Sequence, residues 1–199
     1  MAKGSNDVIL RDRLQFDIDA NGNTTLVYGR IDLSDYVSIV ENKGLAIKEI
    51  RFQLRNPTGS LGKWPSVMLD PFIATTATAS LKVFATTTAY ELIADVGIAS
   101  PNVICVLEKE STNYVPDPTQ PAATRTSSLV VTDSFYGTPD LHPEGYDVVT
   151  DLLIGISLAN CDIETLAGST AELDVMLIAE PKKITQKDMT QMLTQAQDL

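Results

Sequence analysis

Apolar and polar residues alternate with a period of two through most of this chain, in nine stretches separated by clusters of Gly, Pro, Asn and Asp; only the last fifteen residues follow a helical spacing. The alternation is cleanest at Leu14 to Ile18, Ile50 to Leu54 and Leu173 to Leu177, where apolar side chains keep to one parity. A period of two turns one face of a strand toward a core and the other toward solvent. Such strands in succession, without helices between them, predict an all-β fold. The expectation is an antiparallel β-sandwich of eight to nine strands with a short C-terminal α-helix.

Leu14 to Ile18 and Thr24 to Leu33 flank an Asn21-Gly22 turn and so predict a first hairpin. Leu33 to Val37 reads as one helical turn capped by Ser34. Along Gly44 to Arg55 the apolar parity changes between Ile47 and Ile50, the mark of a bulge. Asn56 to Gly62 is a turn cluster, and Trp64-Pro65 extends it toward Val67 to Leu69. Within the Ala- and Thr-rich stretch from Phe72 to Ala89, Ser80 to Thr87 reads as a strand, because branched Thr suits a pleated surface. Ala89 to Val96 predicts a short helix, and Val103 to Glu108 and Ser128 to Phe135 predict strands. Between those strands Ser111 to Ser127, with Pro116, Pro118 and Pro121, reads as a long irregular loop of the kind that makes contacts. Asp147 to Leu158 is apolar on both parities near its middle, as a central strand covered on both faces should be. Glu172 to Ala179 is the last strand, ended by Pro181.

Thr185 to Asp188 has the form of a capping box with Asp in the place of Glu or Gln. Behind it Met189, Met192, Leu193 and Ala196 recur at helical spacing and form one apolar stripe. A helix this short is marginal alone in water, so the stripe must dock, either on its own domain's sheet or on a neighbouring copy. The chain thus divides into a sandwich, residues 1–181, and a helical arm, residues 182–199, whose stripe is the candidate assembly contact.

Charge narrows the functional classes. Fifteen basic against twenty-six acidic residues leave a net charge of −11, and no basic run able to neutralise phosphates occurs, so direct nucleic-acid binding is not expected. The polar start, Met1 to Asp7, and the break of Val8-Ile9-Leu10 by Arg11-Asp12-Arg13 leave no signal-peptide core, so synthesis in the cytosol is expected. No run is long and apolar enough to span a membrane as a helix. Cys105, inside Val103 to Leu107, reads as a small buried hydrophobe and Cys161 as a loop thiol; a disulfide between them stays open.

Asp17, Asp19, Asn21 and Gly22 match the first half of a calcium-loop pattern, and the match fails at the twelfth position, where Tyr28 stands instead of Glu. A turn rich in Asn, Asp and Gly produces the same letters for conformational reasons. These are the weak metal candidates, and no metal or cofactor is expected. Asp140, His142, Glu144 and Asp147 form the His-containing acidic cluster; with His142 the sole His of the chain, a multi-His zinc site is ruled out, and no nucleophile elbow precedes it. A solvated, Pro-bearing turn explains the cluster better than a catalytic site, so an enzyme is not expected. Trp64 and Tyr114 stand on loops, where aromatics bind sugars or partners, or, more commonly for such a Trp, plug one end of the core.

An all-β chain of this length with Ala-, Thr- and Pro-rich loops and a C-terminal arm resembles a single jelly-roll viral capsid protein. Ile31 to Val37, Gly137 to Gly145 and Glu172 to Pro181 look similar to segments of structural proteins of environmental phages and archaeal viruses. The resemblance covers most of the chain at the level of architecture and fixes no functional residue. It implies a jelly roll whose copies self-assemble into a homo-oligomeric shell with other virion proteins, located in the virion after synthesis in the host cytoplasm. One departure matters: many capsid proteins that touch the genome carry a basic N-terminal arm, and Met1 to Asp7 is not one. An internal membrane or a separate basic protein would then meet the genome. The alternative is a carbohydrate-binding or host-attachment sandwich, expected to remain a small oligomer.

Overall fold

The computed structural model describes residues 6–70, 75–121, 126–137 and 144–195. Nine strands, β1 (Val8–Asp17), β2 (Thr24–Ile31), β3 (Lys43–Arg55), β4 (Ala77–Thr86), β5 (Val103–Tyr114), β6 (Ser128–Tyr136), β7 (Tyr146–Val148), β8 (Leu152–Ala159) and β9 (Thr170–Lys183), precede the helix α1 (Gln186–Gln195). They build two antiparallel sheets, in the orders β1-β9-β3-β7 and β2-β8-β4-β5-β6. The pairs nest: β4 with β5, β3 with β7, β2 with β8, and β1 with β9. The chain is therefore one long hairpin, folded back between β4 and β5 and rolled into two layers, which is the strand order of a jelly roll. β6 stands outside the nest, added beyond β5 at the edge of the five-stranded sheet.

Register decides what is inside. In the four-stranded sheet Leu14 faces Leu173 and Leu173 faces Leu54, one row of a buried face that also holds Phe16, Ile47, Ile50, Val175 and Leu177. Opposite lie Leu81, Val83 and Ala85 of β4 and Leu152, Ile154 and Ile156 of β8. Burying each large aliphatic side chain stabilises the fold by about 1.5–3 kcal/mol. The outer face of the five-stranded sheet is covered as well. Phe84, Val96 and Val106 are buried there with Tyr28, Tyr90 and Ile93 packed round them, so the segment 87–102 forms a second, smaller core. Tyr28 anchors that cover, its Oη donating to the Tyr90 carbonyl (3.0 Å) and accepting from the Tyr90 amide (2.7 Å). Gly155 makes room for it, since a Cβ there would lie 2.2 Å from Cζ of Phe84. Two covers explain why β8 is apolar on both parities.

Several expectations are corrected. β1 and β2 do not pair as a hairpin; they lie in different sheets, and Asn21-Gly22 turns the chain from one layer to the other. Gly22 has φ +75° and lies against the Cys161 backbone, where a Cβ would approach to 2.2 Å, so the turn is held by β8's exit loop and not by a ladder between its flanks. The apolar run from Asp147 to Leu158 is two strands, because residues 149–151 carry the chain across from β7 in one sheet to β8 in the other. β5 continues through Ser111 to Tyr114, residues expected to begin a loop. The helix expected over Ala89 to Val96 is a single 3₁₀ turn, Ile93–Asp95. The turn at Leu33 to Val37 forms, with Tyr36 N donating to Leu33 O (2.8 Å), but Asp32 is its cap and accepts from Ser34 N (2.9 Å). β9 runs past Pro181 to Lys183. Proline is tolerated there because β1 begins opposite Ala179, which leaves β9 with one strand neighbour at that point. The parity change in β3 is the expected bulge, between Ile47 and Glu49.

Candidate assembly surface

The outer face of the four-stranded sheet is a lattice of opposite charges. Register places Arg13, Asp174 and Gln53 in one row, Gln15, Glu172 and Arg55 in the next, and Arg11, Met176 and Arg51 in a third. Arg13 Nε donates to Asp174 Oδ1 (2.6 Å), Arg55 Nη1 to Glu172 Oε2 (3.2 Å), and Arg51 pairs with Glu49. The hydrogen bond from Arg13 holds the Asp174 carboxyl below its ordinary value of 3.8. A depression of about 660 Å³ lies here, lined by Arg11, Arg13, Arg51 and Asp174 among others. Its three arginines share the lining with Asp12 and Asp174, so little positive charge is left over for a polyanion.

The opposite flank differs. β6 is nine residues long, and Leu129, Val130, Val131, Phe135 and Tyr136 are all exposed, Val130 at 57%. Leu129, Val131, Asp133 and Phe135 share the inner face, opposite Asn113, Ser111, Lys109 and Leu107 of β5. The cover of the core stops at β5: Ser111 Oγ accepts from Met68 N (3.3 Å) and donates to Ser66 O (3.1 Å), holding the loop before β4, while its neighbour Val131 stays 42% exposed. Phe135 reaches Phe52 of β3 at 6.4 Å between ring centres. Asp133, the sole charge of β6, is held by Lys109 at 2.6 Å. These exposed residues lie on both faces of the strand, and apolar surface gathered at one edge is a feature of interaction sites.

The helical stripe lies against its own domain. Met189 is buried with Val149 and Ile184, and Met192 and Leu193 pack on that cluster; Ala196 lies outside the described residues. Thr185 caps α1, its Oγ1 accepting from Asp188 N (3.2 Å) and donating to Asp188 Oδ2 (2.7 Å). Of the two dockings open to the stripe, the one on its own domain is present.

The other candidates disperse. Asp19 Oδ1 accepts from the amides of Asn21 and Asn23 (both 2.8 Å), and Asp17 Oδ1 from Thr170 Oγ1 (2.6 Å), so the half-motif carboxylates hold a turn and a strand end. Asp140 and His142 lie outside the described residues, and Asp147 pairs with Lys182 at 2.5 Å. Among the described residues no three of His, Cys, Asp and Glu are grouped to hold a metal. Both cysteines are free thiols and buried, and burial pushes each up to about 12. Cys161 is thus a core residue, not a surface loop thiol, with its Sγ 3.9 Å from Met68 Sδ. Trp64 packs on Phe16 at 6.4 Å between ring centres, with its indole nitrogen buried, so it closes one end of the core. Sequence reasoning found β6 as a strand and said nothing of its exposure, which depends on what the rest of the chain packs against it. A scan against family models and a search of curated proteins gave no match for this chain.

Proposed function

We propose that this chain is a structural subunit whose copies self-assemble into a shell of the virus-capsid type. The observation that supports this best is the β6 flank: five large apolar side chains of one edge strand are 37–57% exposed, more than on any other strand among the described residues. The analogy of strand order adds weight at the level of fold only, since jelly rolls also serve lectins. Other virion proteins would complete the shell. The genome-facing role would fall to an internal membrane or a basic partner, given the net charge of −11 and the carboxylates interleaved with Arg11, Arg13, Arg51 and Arg55. The packing of the partly buried Trp64 against Phe16 at the rim of the core argues against the carbohydrate-binding alternative. Electron microscopy and light scattering of the purified chain test the reading: capsomers or closed particles are expected, and a small species at all concentrations, retained on immobilised glycans, would replace it with the attachment-module reading.

A further inference from the structure

We infer that β6 pairs edge to edge with β6 of a second copy of this chain, antiparallel and centred on Thr132, joining two five-stranded sheets into one of ten strands. The inference deepens the assembly reading and rests on it in taking the partner to be another copy.

Among the described residues the two sheets have four edges, and three of them are the more strongly blunted. β1 carries Arg11, Asp12 and Arg13, with Asp12 on the same parity as the core residues Leu14 and Phe16. β7 has three residues. β2 has an irregular register between Thr24 and Val27, and its Arg30 is tied to Asp151. Charges, shortness and bulges are the devices that keep sheet edges from pairing. β6 carries the fewest of them: it runs in unbroken register with β5 for nine residues, contains no proline, and has a single charge, Asp133, paired with Lys109 of β5. At the usual rise per residue the free edge is about 30 Å long.

Charge selects the way two copies approach. Each carries −11, so copies repel over most orientations, and contact along a strip without uncompensated charge is the least opposed. Symmetry then selects the register. A two-fold axis normal to the sheet brings residues of the same face opposite one another, and it closes the contact as a dimer. Centred on Thr132, all nine residues of β6 find partners: Leu129 faces Phe135, Val130 faces Ser134, Ser128 faces Tyr136, and Val131 faces Asp133. Centring on Asp133 would set two carboxylates face to face. Centring on Val131 would put Phe135 opposite Ser127, outside the strand. Thr against Thr and aromatic against aliphatic are favourable cross-strand pairs, whereas like charges directly opposite are not.

The test is cross-linking along the strand. Both native thiols are buried, so Thr132→Cys introduces the one accessible thiol of the described residues. Under mild oxidation Thr132→Cys should yield a covalent dimer. Val130→Cys and Ser134→Cys should each yield little alone and a covalent dimer when mixed. Val130→Lys with Val131→Lys should remove the dimer in light scattering while the melting temperature stays within a few degrees, since neither side chain is in the core. Failure of Thr132→Cys to cross-link, or wild-type association by the double-lysine variant, would overturn the pairing. Dimers without larger particles would leave the pairing intact and end the shell reading; large particles without the Thr132 cross-link would do the reverse.

Discussion

β1 and β6 each end a sheet, yet they belong to the molecule in different ways. β1 sends Leu14 and Phe16 into the core and lays Arg13 and Gln15 into the ion lattice of the outer face. Both of its faces are finished. β6 reaches one aromatic contact, Phe135 on Phe52, and otherwise leaves apolar residues of both parities in solvent. An edge strand stabilises its own fold through the face it buries, and through its unpaired amides and carbonyls it can recruit another chain. β1 is arranged for the first; on the pairing proposed above, β6 serves the second. The difference would then be that between a boundary of the fold and an edge that takes up a second copy.

Stability measurements should separate the two flanks most widely. Phe16→Ala on β1 removes a ring that is 3% exposed and should cost about 3–5 kcal/mol in denaturant unfolding, whereas Val131→Ala on β6 should stay within about 0.5 kcal/mol. Equal losses at the two sites would erase the distinction. Glu172→Ala should come next, at about 1–2 kcal/mol: this carboxylate accepts from Arg55 and Gln15 and is 8% exposed, so its loss strips partners from the lattice. The converse change sharpens the comparison. Arg11→Val with Arg13→Val should alter unfolding by no more than about 1 kcal/mol, because both arginines are exposed and surface pairs are weak. It should nonetheless raise light scattering on concentration, since β1 then loses two of the three charges that blunt its edge and keeps only Asp12 of them. A variant as soluble as the wild type would mean that charge is not what keeps this edge unpaired.

Much of the frame was legible in the sequence because burial writes itself into parity. The strands of the core, the bulge in β3 and the N-cap at Thr185 all followed from local chemistry. Partnership did not. Asn21-Gly22 has the letters of a hairpin turn, but a turn between two layers needs the same positive φ, and only the nesting of β1 with β9 and β2 with β8 tells them apart. The run from Asp147 to Leu158 hides a crossing between sheets, because Val148 at the end of β7 and most of β8 are buried and three residues suffice to pass from one strand to the other. The exposed flank was least legible of all. Ser128 to Tyr136 reads as a strand, and its exposure among the described residues follows from how the rest of the chain packs and not from its own letters. Cys161 was misplaced for a related reason: its neighbours Asn160 and Asp162 face outward from a turn, while its own side chain enters the core.

The smallest expected effect lies in the ion lattice and is read by acid. In the folded chain the Asp174 carboxyl is held below its ordinary value of 3.8, first by the hydrogen bond from Arg13 and then by the charges of Arg13 and Arg55, against a partial loss of hydration. A depressed carboxyl binds its proton more readily when unfolded, so its contribution to stability is complete above pH 3.8 and is lost as pH falls below that through the folded value. Solvent screens the exposed Arg13, so the contribution is modest. Asp174→Asn should therefore melt below the wild type at neutral pH, and the gap should close as the pH is taken below 3.8. A gap that persists unchanged into strong acid would show that Asp174 serves the β1 flank by packing and not by charge. The lattice would then be a consequence of the finished edge and not one of its causes.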